Sequence, residues 1–166
     1  MLENLGFTVN NERTYRILPA SENPTPVYLH DMTIERARGG DLDVAAFEGR
    51  LEAALMALLD GETESDRFNA LVTEAGLTWR EAMVFRAYAL YLRQIGAPFG
   101  HDYIADVLAK YPALTDQLKA LFNARFAPPV TGDNTGRQTA GETIAASIDT
   151  ALEAVSNLGE DRIFRR

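Results

Sequence analysis

The chain has 166 residues, 46% hydrophobic and 24% charged, and its sixteen basic and twenty-four acidic side chains leave a net charge of −8. That length suits one domain, or a domain with an appendage, and the composition is globular rather than disordered. An acidic balance without any block of lysines and arginines makes nucleic acid and anionic membranes poor partners, and the lack of cysteine removes disulfide and thiolate chemistry.

The longest apolar run, Ala82 to Leu92, is broken by Arg86 and is far shorter than the roughly 20 residues of a spanning helix. The first residues lack the basic head and apolar stretch of a signal peptide. A cytoplasmic protein is the reading.

In chain order, Leu2 and Leu5 followed by Gly6 read as the last turn of a helix with a glycine in the left-handed position past its end. From Phe7 to Ile34 the pattern is strand-like. Tyr15–Leu18 and Val27–Ile34 are rich in β-branched and aromatic residues, and Pro19, Pro24 and Pro26 separate them. Two strands alone are marginal in water. The hairpin is therefore expected either to dock on helices or to be the remainder of a larger sheet.

After Gly39 and Gly40 the period becomes helical. Asp43 can cap a helix whose apolar face is Val44, Phe47, Leu51, Leu55, Leu58 and Leu59, closed by Gly61. A short helix carries Phe68, Leu71, Val72 and Ala75 and stops at Gly76. Thr78 with Glu81 forms a capping box for a third helix that ends at Gly96. Its Met83, Val84, Phe85, Tyr88, Leu90, Tyr91, Leu92 and Ile95 leave almost no polar stripe, so it is expected at the centre of a bundle.

A fourth helix is predicted from about Asp102, with Tyr103, Ile104, Val107 and Leu108 inward and Pro112 stopping it. A fifth, from about Thr115 to Phe126, turns Leu118, Leu121, Phe122 and Phe126 inward. Pro128 and Pro129 end it, and Val130–Arg137 reads as a mobile linker. Thr139 with Glu142 makes a second capping box, for a helix with Ile144, Ile148, Ala151, Leu152, Val155 and Leu158 on one face. Gly159, Glu160 and Asp161 open another helix, with Ile163 and Phe164 starting its apolar face. Both ends have the pattern of a segment within a longer chain.

The predicted organisation is a helix end plus β-hairpin over 1–38, a helical bundle over 41–127, a flexible linker over 128–138, and a long helix with the start of another over 139–166. The fold class is mainly α: a multi-helix bundle around a near-apolar central helix, with a short N-terminal β-hairpin.

Chemistry-bearing motifs are scarce. No glycine-rich GxGxxG turn is available to approach a dinucleotide pyrophosphate, and Gly39–Gly40 reads as a turn. Hydride transfer on amino acids generally uses a lysine of depressed pKa; Lys110, one turn after Asp106, and Lys119, beside Asp116, instead have solvated ion pairs available. His30 and His101 lack the companions that a zinc site needs, and each reads as a hydrogen-bonding side chain at a strand edge or in a first helical turn. Asp133, Asn134 and Gly136 do not complete a calcium loop. No catalytic, cofactor-binding or metal-binding residue is assigned. Arg86 and Arg93 share a face with Trp79 on the near-apolar helix, where a guanidinium must be paired or reach the surface. One reading gives them ion pairs with Asp66 or Glu74; the other makes Trp79, Arg86 and Arg93 an interdomain contact.

The stretch FNALVTEAGLTWREAMVFRAYALYLRQIGAPF, Phe68 to Phe99, resembles the region just ahead of the catalytic domain in the large bacterial NAD-specific glutamate dehydrogenases. The similarity continues through YIADVLAKYPALTDQLKALFNARF and ALEAVSNLGEDRIFRR. Upstream, LENLGF, ERTYRI and VYLHDM resemble the helix and two strands that complete an ACT-like regulatory domain in that family. Coverage is nearly the whole chain, apart from Val130–Gln138. Thr14, where proline is common, and Met32, where an aromatic is usual, depart from the pattern and bear only on hairpin detail.

The resemblance implies a parent enzyme, a homo-oligomer, that oxidises L-glutamate to 2-oxoglutarate and ammonia with NAD, its substrate and NAD residues lying downstream of Arg166. It implies no cofactor in this segment, and as partners the downstream catalytic domain and other domains of the parent chain. The expected role is a non-catalytic scaffold or regulatory segment. A free-standing helical adaptor that binds a partner helix or small ligand is the alternative, and a DNA-binding helix-turn-helix is disfavoured by the acidic balance.

Overall fold

The computed structural model describes residues 1–20, 24–128 and 134–166. The elements are strands β1 (Phe7–Ile17) and β2 (Val27–Arg36), helix α1 (Val44–Leu59), a 3-10 turn (Arg67–Asn69) running into α2 (Ala70–Glu74), then α3 (Trp79–Gln94), α4 (His101–Lys110), α5 (Pro112–Phe126), α6 (Asn134–Leu152) and α7 (Leu158–Phe164). The chain is mainly helical with one antiparallel hairpin, as its patterning indicates.

β1 is much longer than the aromatic and β-branched run predicts. Its polar half, through Asn10 to Thr14, is strand because β2 pairs with it residue by residue, from Phe7 opposite Arg36 to Ile17 opposite Val27, with an irregularity between Val9 and Asn11. An extra residue in one strand turns the side chains beyond it to the other face. The base of the hairpin is docked. Phe7 is buried, and Phe7 and Ile34 pack with Leu5, Phe47, Leu58 and Val72 in a cluster shared with α1 and α2. Gly6 makes this approach possible: its φ of 88° is left-handed, and a Cβ there would stand 3.4 Å from a Glu74 carboxylate oxygen. Beyond the base, Tyr15, Ile17, Val27 and Leu29 are all exposed.

Helix starts follow the caps. The Asp43 carboxylate accepts from the Ala46 N–H at 3.2 Å, and Thr78 and Glu81 close a reciprocal capping box at the start of α3. Gly61, Gly76 and Gly96 all have positive φ just past helix ends.

The larger core gathers around α4, whose Ile104, Ala105, Val107, Leu108 and Ala109 are buried among Phe68, Leu71, Leu77, Leu114, Ile148, Leu152 and Ile163. The central helix is therefore α4 rather than α3. Small side chains, Ala105 and Ala109, let neighbours close around it, whereas α3 buries only Ala82, Arg86, Ala89 and Leu92 and leaves Met83, Tyr88, Leu90, Tyr91 and Ile95 exposed. Apolar residues all round a helix state what it can bury, not what this chain supplies to cover it.

Smaller differences have local causes. Pro112 ends α4 and also starts α5, since a proline lacks only an N–H that a first helical turn leaves unbonded. Tyr103, Val44, Leu59 and Phe126, expected inward, are exposed; Val44, Leu59 and Phe126 are the end residues of α1 and α5. α6 already includes Asn134, so Thr139 and Glu142 lie inside the helix rather than capping it, and Glu142 accepts from Gln138 at 3.1 Å. α6 closes on α5 at the buried Gly141, where a Cβ would meet Arg125 and Leu121 at 3.9 and 4.0 Å. It ends at Leu152, so Val155 packs from the following turn and Leu158 is exposed at the start of α7. Of the loop expected over Val130–Arg137, the part from Asn134 onward is the first turn of α6, and Val130–Asp133, with the Asp133 carboxylate of the calcium-like triplet, falls outside the described residues.

Candidate functional site

Two features stand out from the packing: a polar knot around Arg86, and an open apolar trough on the other side of α3.

Arg86 is 5% exposed. Its Nε donates to Asp66 at 2.7 Å, and one terminal nitrogen reaches the second Asp66 oxygen at 2.8 Å and the Asn69 side-chain oxygen at 2.7 Å. Contacts to Thr63 at 3.1 Å and the Glu64 carbonyl at 3.2 Å follow, and the exposed Glu64 carboxylate stands 3.6 Å from Nε. A planar guanidinium suits this bidentate grip on a carboxylate. Asp66 also accepts from the Phe68 N–H at 3.0 Å, capping the 3-10 turn, and lies 3.3 Å from His101 Nε2 at the start of α4. Burial pushes the Asp66 carboxyl pKa up, but Arg86's hydrogen bonds and charge, with the His101 and Phe68 contacts, outweigh it and hold the group below the ordinary aspartate value. The knot ties α3, α4 and the 3-10 turn together.

The three residues singled out on α3 thus have different surroundings. Arg86 points inward to Asp66, one of the two carboxylates expected for it; the other, Glu74, instead holds Arg36 at 2.6 Å. Trp79 is half-buried against the Phe7–Phe47 cluster, with the Arg80 guanidinium 4.2 Å over its ring. Arg93 is exposed and forms no ion pair among the described residues.

Lys110 does not pair with Asp106. Asp106 is taken by Arg67 at 2.7 Å, and Lys110, at the end of α4, reaches Glu160 on α7 at 2.7 and 2.9 Å, where the Tyr111 hydroxyl also donates at 2.6 Å. Lys110 and Tyr111 lower the Glu160 pKa, chiefly through these hydrogen bonds, and Glu160 raises that of Lys110. A carboxylate with a depressed folded-state pKa stabilises fully above its unfolded value, about 4.3, and loses that contribution as pH falls through the folded value. Glu160→Gln should therefore flatten the acid limb of stability against pH. Urea midpoints from neutral to strongly acidic pH check this; parallel curves for the two proteins would refute it.

Lys119 pairs with Asp116 as expected. His30 bonds across the strands to Glu12 at 2.7 Å. Among the described residues no three His, Cys, Asp or Glu side chains gather where a metal ion could be held, and no helix is long and apolar enough to cross a membrane.

The trough, about 580 Å³, runs along α3 from Arg80 to Ile95. α5 forms its other wall through Leu121, Phe122 and Phe126, and Ile104, Leu108 and Phe164 close it below. The walls meet where the Tyr88 and Phe122 rings make an edge-to-face contact, centroids 6.2 Å apart. Periodicity flags the α3 side of this surface, but nothing local says that α5 stands far enough away to leave it open.

Residues 1–47 match the family model described as glutamate dehydrogenase, ACT3 domain, and residues 63–128 match glutamate dehydrogenase, helical motif 3. NAD-specific glutamate dehydrogenases from Mycobacterium tuberculosis, Pseudomonas aeruginosa and Halomonas elongata are 37%, 36% and 34% identical to it, over 99%, 100% and 100% of this chain. The chain belongs to the NAD-specific glutamate dehydrogenase family. It spans about 10% of the length of these curated relatives. The ACT3 match covers the hairpin and the start of α1, and the helical-motif match covers the Arg86 knot and both walls of the trough.

Proposed function

We propose that the chain is a non-catalytic helical scaffold of an NAD-dependent glutamate dehydrogenase, in which it holds the catalytic portion in place and transmits regulatory contacts from the ACT-like hairpin. The observation that carries this reading is α3, a helix apolar on nearly every side that this chain covers on one side only. Exposed apolar surface of this extent marks a docking face, and the length of the relatives supplies polypeptide to dock there. Trp79 and Arg93 lie on the opposite side of α3, where Trp79 packs against the Phe7–Phe47 cluster and Arg93 is exposed, so any interdomain contact they make is separate from this face. The parent reaction, glutamate and NAD to 2-oxoglutarate and ammonia, is then carried by residues elsewhere, in a homo-oligomer of the cytoplasm.

Purified alone, the chain is expected to unfold cooperatively while neither reducing NAD in the presence of glutamate nor binding NAD by calorimetry. Turnover by a clean preparation would overturn the reading. The trough also fits a free-standing adaptor for a partner helix, and an open reading frame continuing past Arg166 removes that alternative.

A further inference from the structure

We infer that the trough between α3 and α5 receives an amphipathic α-helix with acidic flanks, supplied by another part of the same glutamate dehydrogenase polypeptide. This rests on the scaffold reading and names the partner surface.

Shape is the first ground. The trough wall runs from Arg80 to Ile95 and is apolar from Val84 onward, so it is about 22 Å long at 1.5 Å per residue. That is the length of a docked helix of about fifteen residues. A small-molecule site would gather polar groups at a point, whereas here the interior is apolar and charge stands at the rim. Tyr88, Tyr91, Ile95 and Phe126 are 49%, 56%, 54% and 62% exposed, so docking would withdraw their exposed area from water.

Charge is the second ground. On a chain of net charge −8, the trough is lined by Arg80, Lys119, Arg125, Arg165 and Arg166 against one acidic residue, Glu81. Lys119 is held by Asp116, and Arg165 by Asp161 and Asp149. Arg80, Arg125 and Arg166 form no ion pair among the described residues. A basic rim around an apolar floor selects a helix with an apolar stripe and acidic flanks and repels a basic one. A second copy of this chain would bring its own basic rim against the first.

The occupant follows from the relatives. They contain about ten times the length of this chain, and a helix tethered in the same polypeptide binds at a high effective concentration, so a modest interface suffices.

The test places a photo-reactive benzoylphenylalanine at Phe126 and, separately, at Tyr91 in the intact polypeptide that carries this segment, and maps the cross-linked peptides by mass spectrometry. The expected product joins each position to one peptide of the same polypeptide with apolar residues spaced three and four apart and Asp or Glu beside them. Arg80→Glu and Arg125→Glu should each cut the yield roughly two- to fivefold, the range for an exposed ion pair, while the lysine replacements keep it. A cross-link to the trough of a second copy, to a basic or extended peptide, or to nothing overturns the proposal. Failure here, with an isolated chain that neither turns over glutamate nor binds NAD, leaves the scaffold reading standing. NAD-linked turnover by the isolated chain removes that reading instead.

Discussion

Asp66→Ala is expected to destabilise the fold by about 3–5 kcal/mol, because it strands the Arg86 guanidinium in the interior without its hydrogen-bonded counter-charge, leaving only the solvent-exposed Glu64 carboxylate at 3.6 Å. Arg86 is 5% exposed and donates two of its hydrogen bonds to Asp66. The same change removes the cap on the 3-10 turn, but a lost cap costs about 0.5–2 kcal/mol, so the unpaired charge dominates. Against a typical total of about 5–15 kcal/mol, this is a large share. Two comparisons separate the causes. Asp66→Asn keeps an oxygen for the Phe68 N–H and gives up the charge, so it should fall between wild type and the alanine variant. The double variant Asp66→Ala with Arg86→Met should be more stable than Asp66→Ala alone, since an apolar side chain of similar length needs no partner. Urea unfolding at neutral pH measures all three, and an Asp66→Ala midpoint within about 1 kcal/mol of wild type would show that Arg86 finds water or another acceptor.

Phe68→Ala should cost a similar amount, about 3–5 kcal/mol, for a different reason. Phe68 is 0% exposed in the core around α4. Its ring lies 4.7 Å from the His101 ring, and the Arg86 guanidinium carbon is 6.0 Å from its centroid. Truncation opens a cavity in the core cluster that Phe68 shares with Leu71, Leu77 and Ile104 of three separate segments. Phe68→Leu, which fills more of the space, should lose much less. Because Phe68 and Asp66 both act on Arg86, their effects should not add. An additive double variant, or a Phe68→Ala loss below about 1 kcal/mol, would place the ring outside the cooperative core.

Much of this organisation was legible in local sequence signals. Asp43, Thr78 with Glu81, Gly61, Gly76 and Gly96 mark helix ends through contacts within a few residues of themselves, so one stretch of chain carries the whole signal. Asp66 could be named as a partner for Arg86 because a buried guanidinium demands a carboxylate and few lay within reach. Lys110 was harder. Asp106, one turn away on the same helix, was the local choice, but Arg67 occupies it and Glu160, fifty residues on, takes the lysine. The polar half of β1 carries no strand signal of its own, and its conformation comes from the partner strand.

By itself, then, the amino-acid order determined most of the helices, the caps at Asp43 and Thr78, the presence of the hairpin and the kinship with glutamate dehydrogenases, because each is written in residues near one another or in long matching strings. Only the tertiary structure decided that α4 rather than α3 is enclosed, that Arg86 turns inward, and that α3 and α5 stand apart with a basic rim between them. Those outcomes depend on which elements compete for the same face. A side chain's polarity sets whether it prefers to be covered, and the arrangement of distant segments sets whether anything is there to cover it.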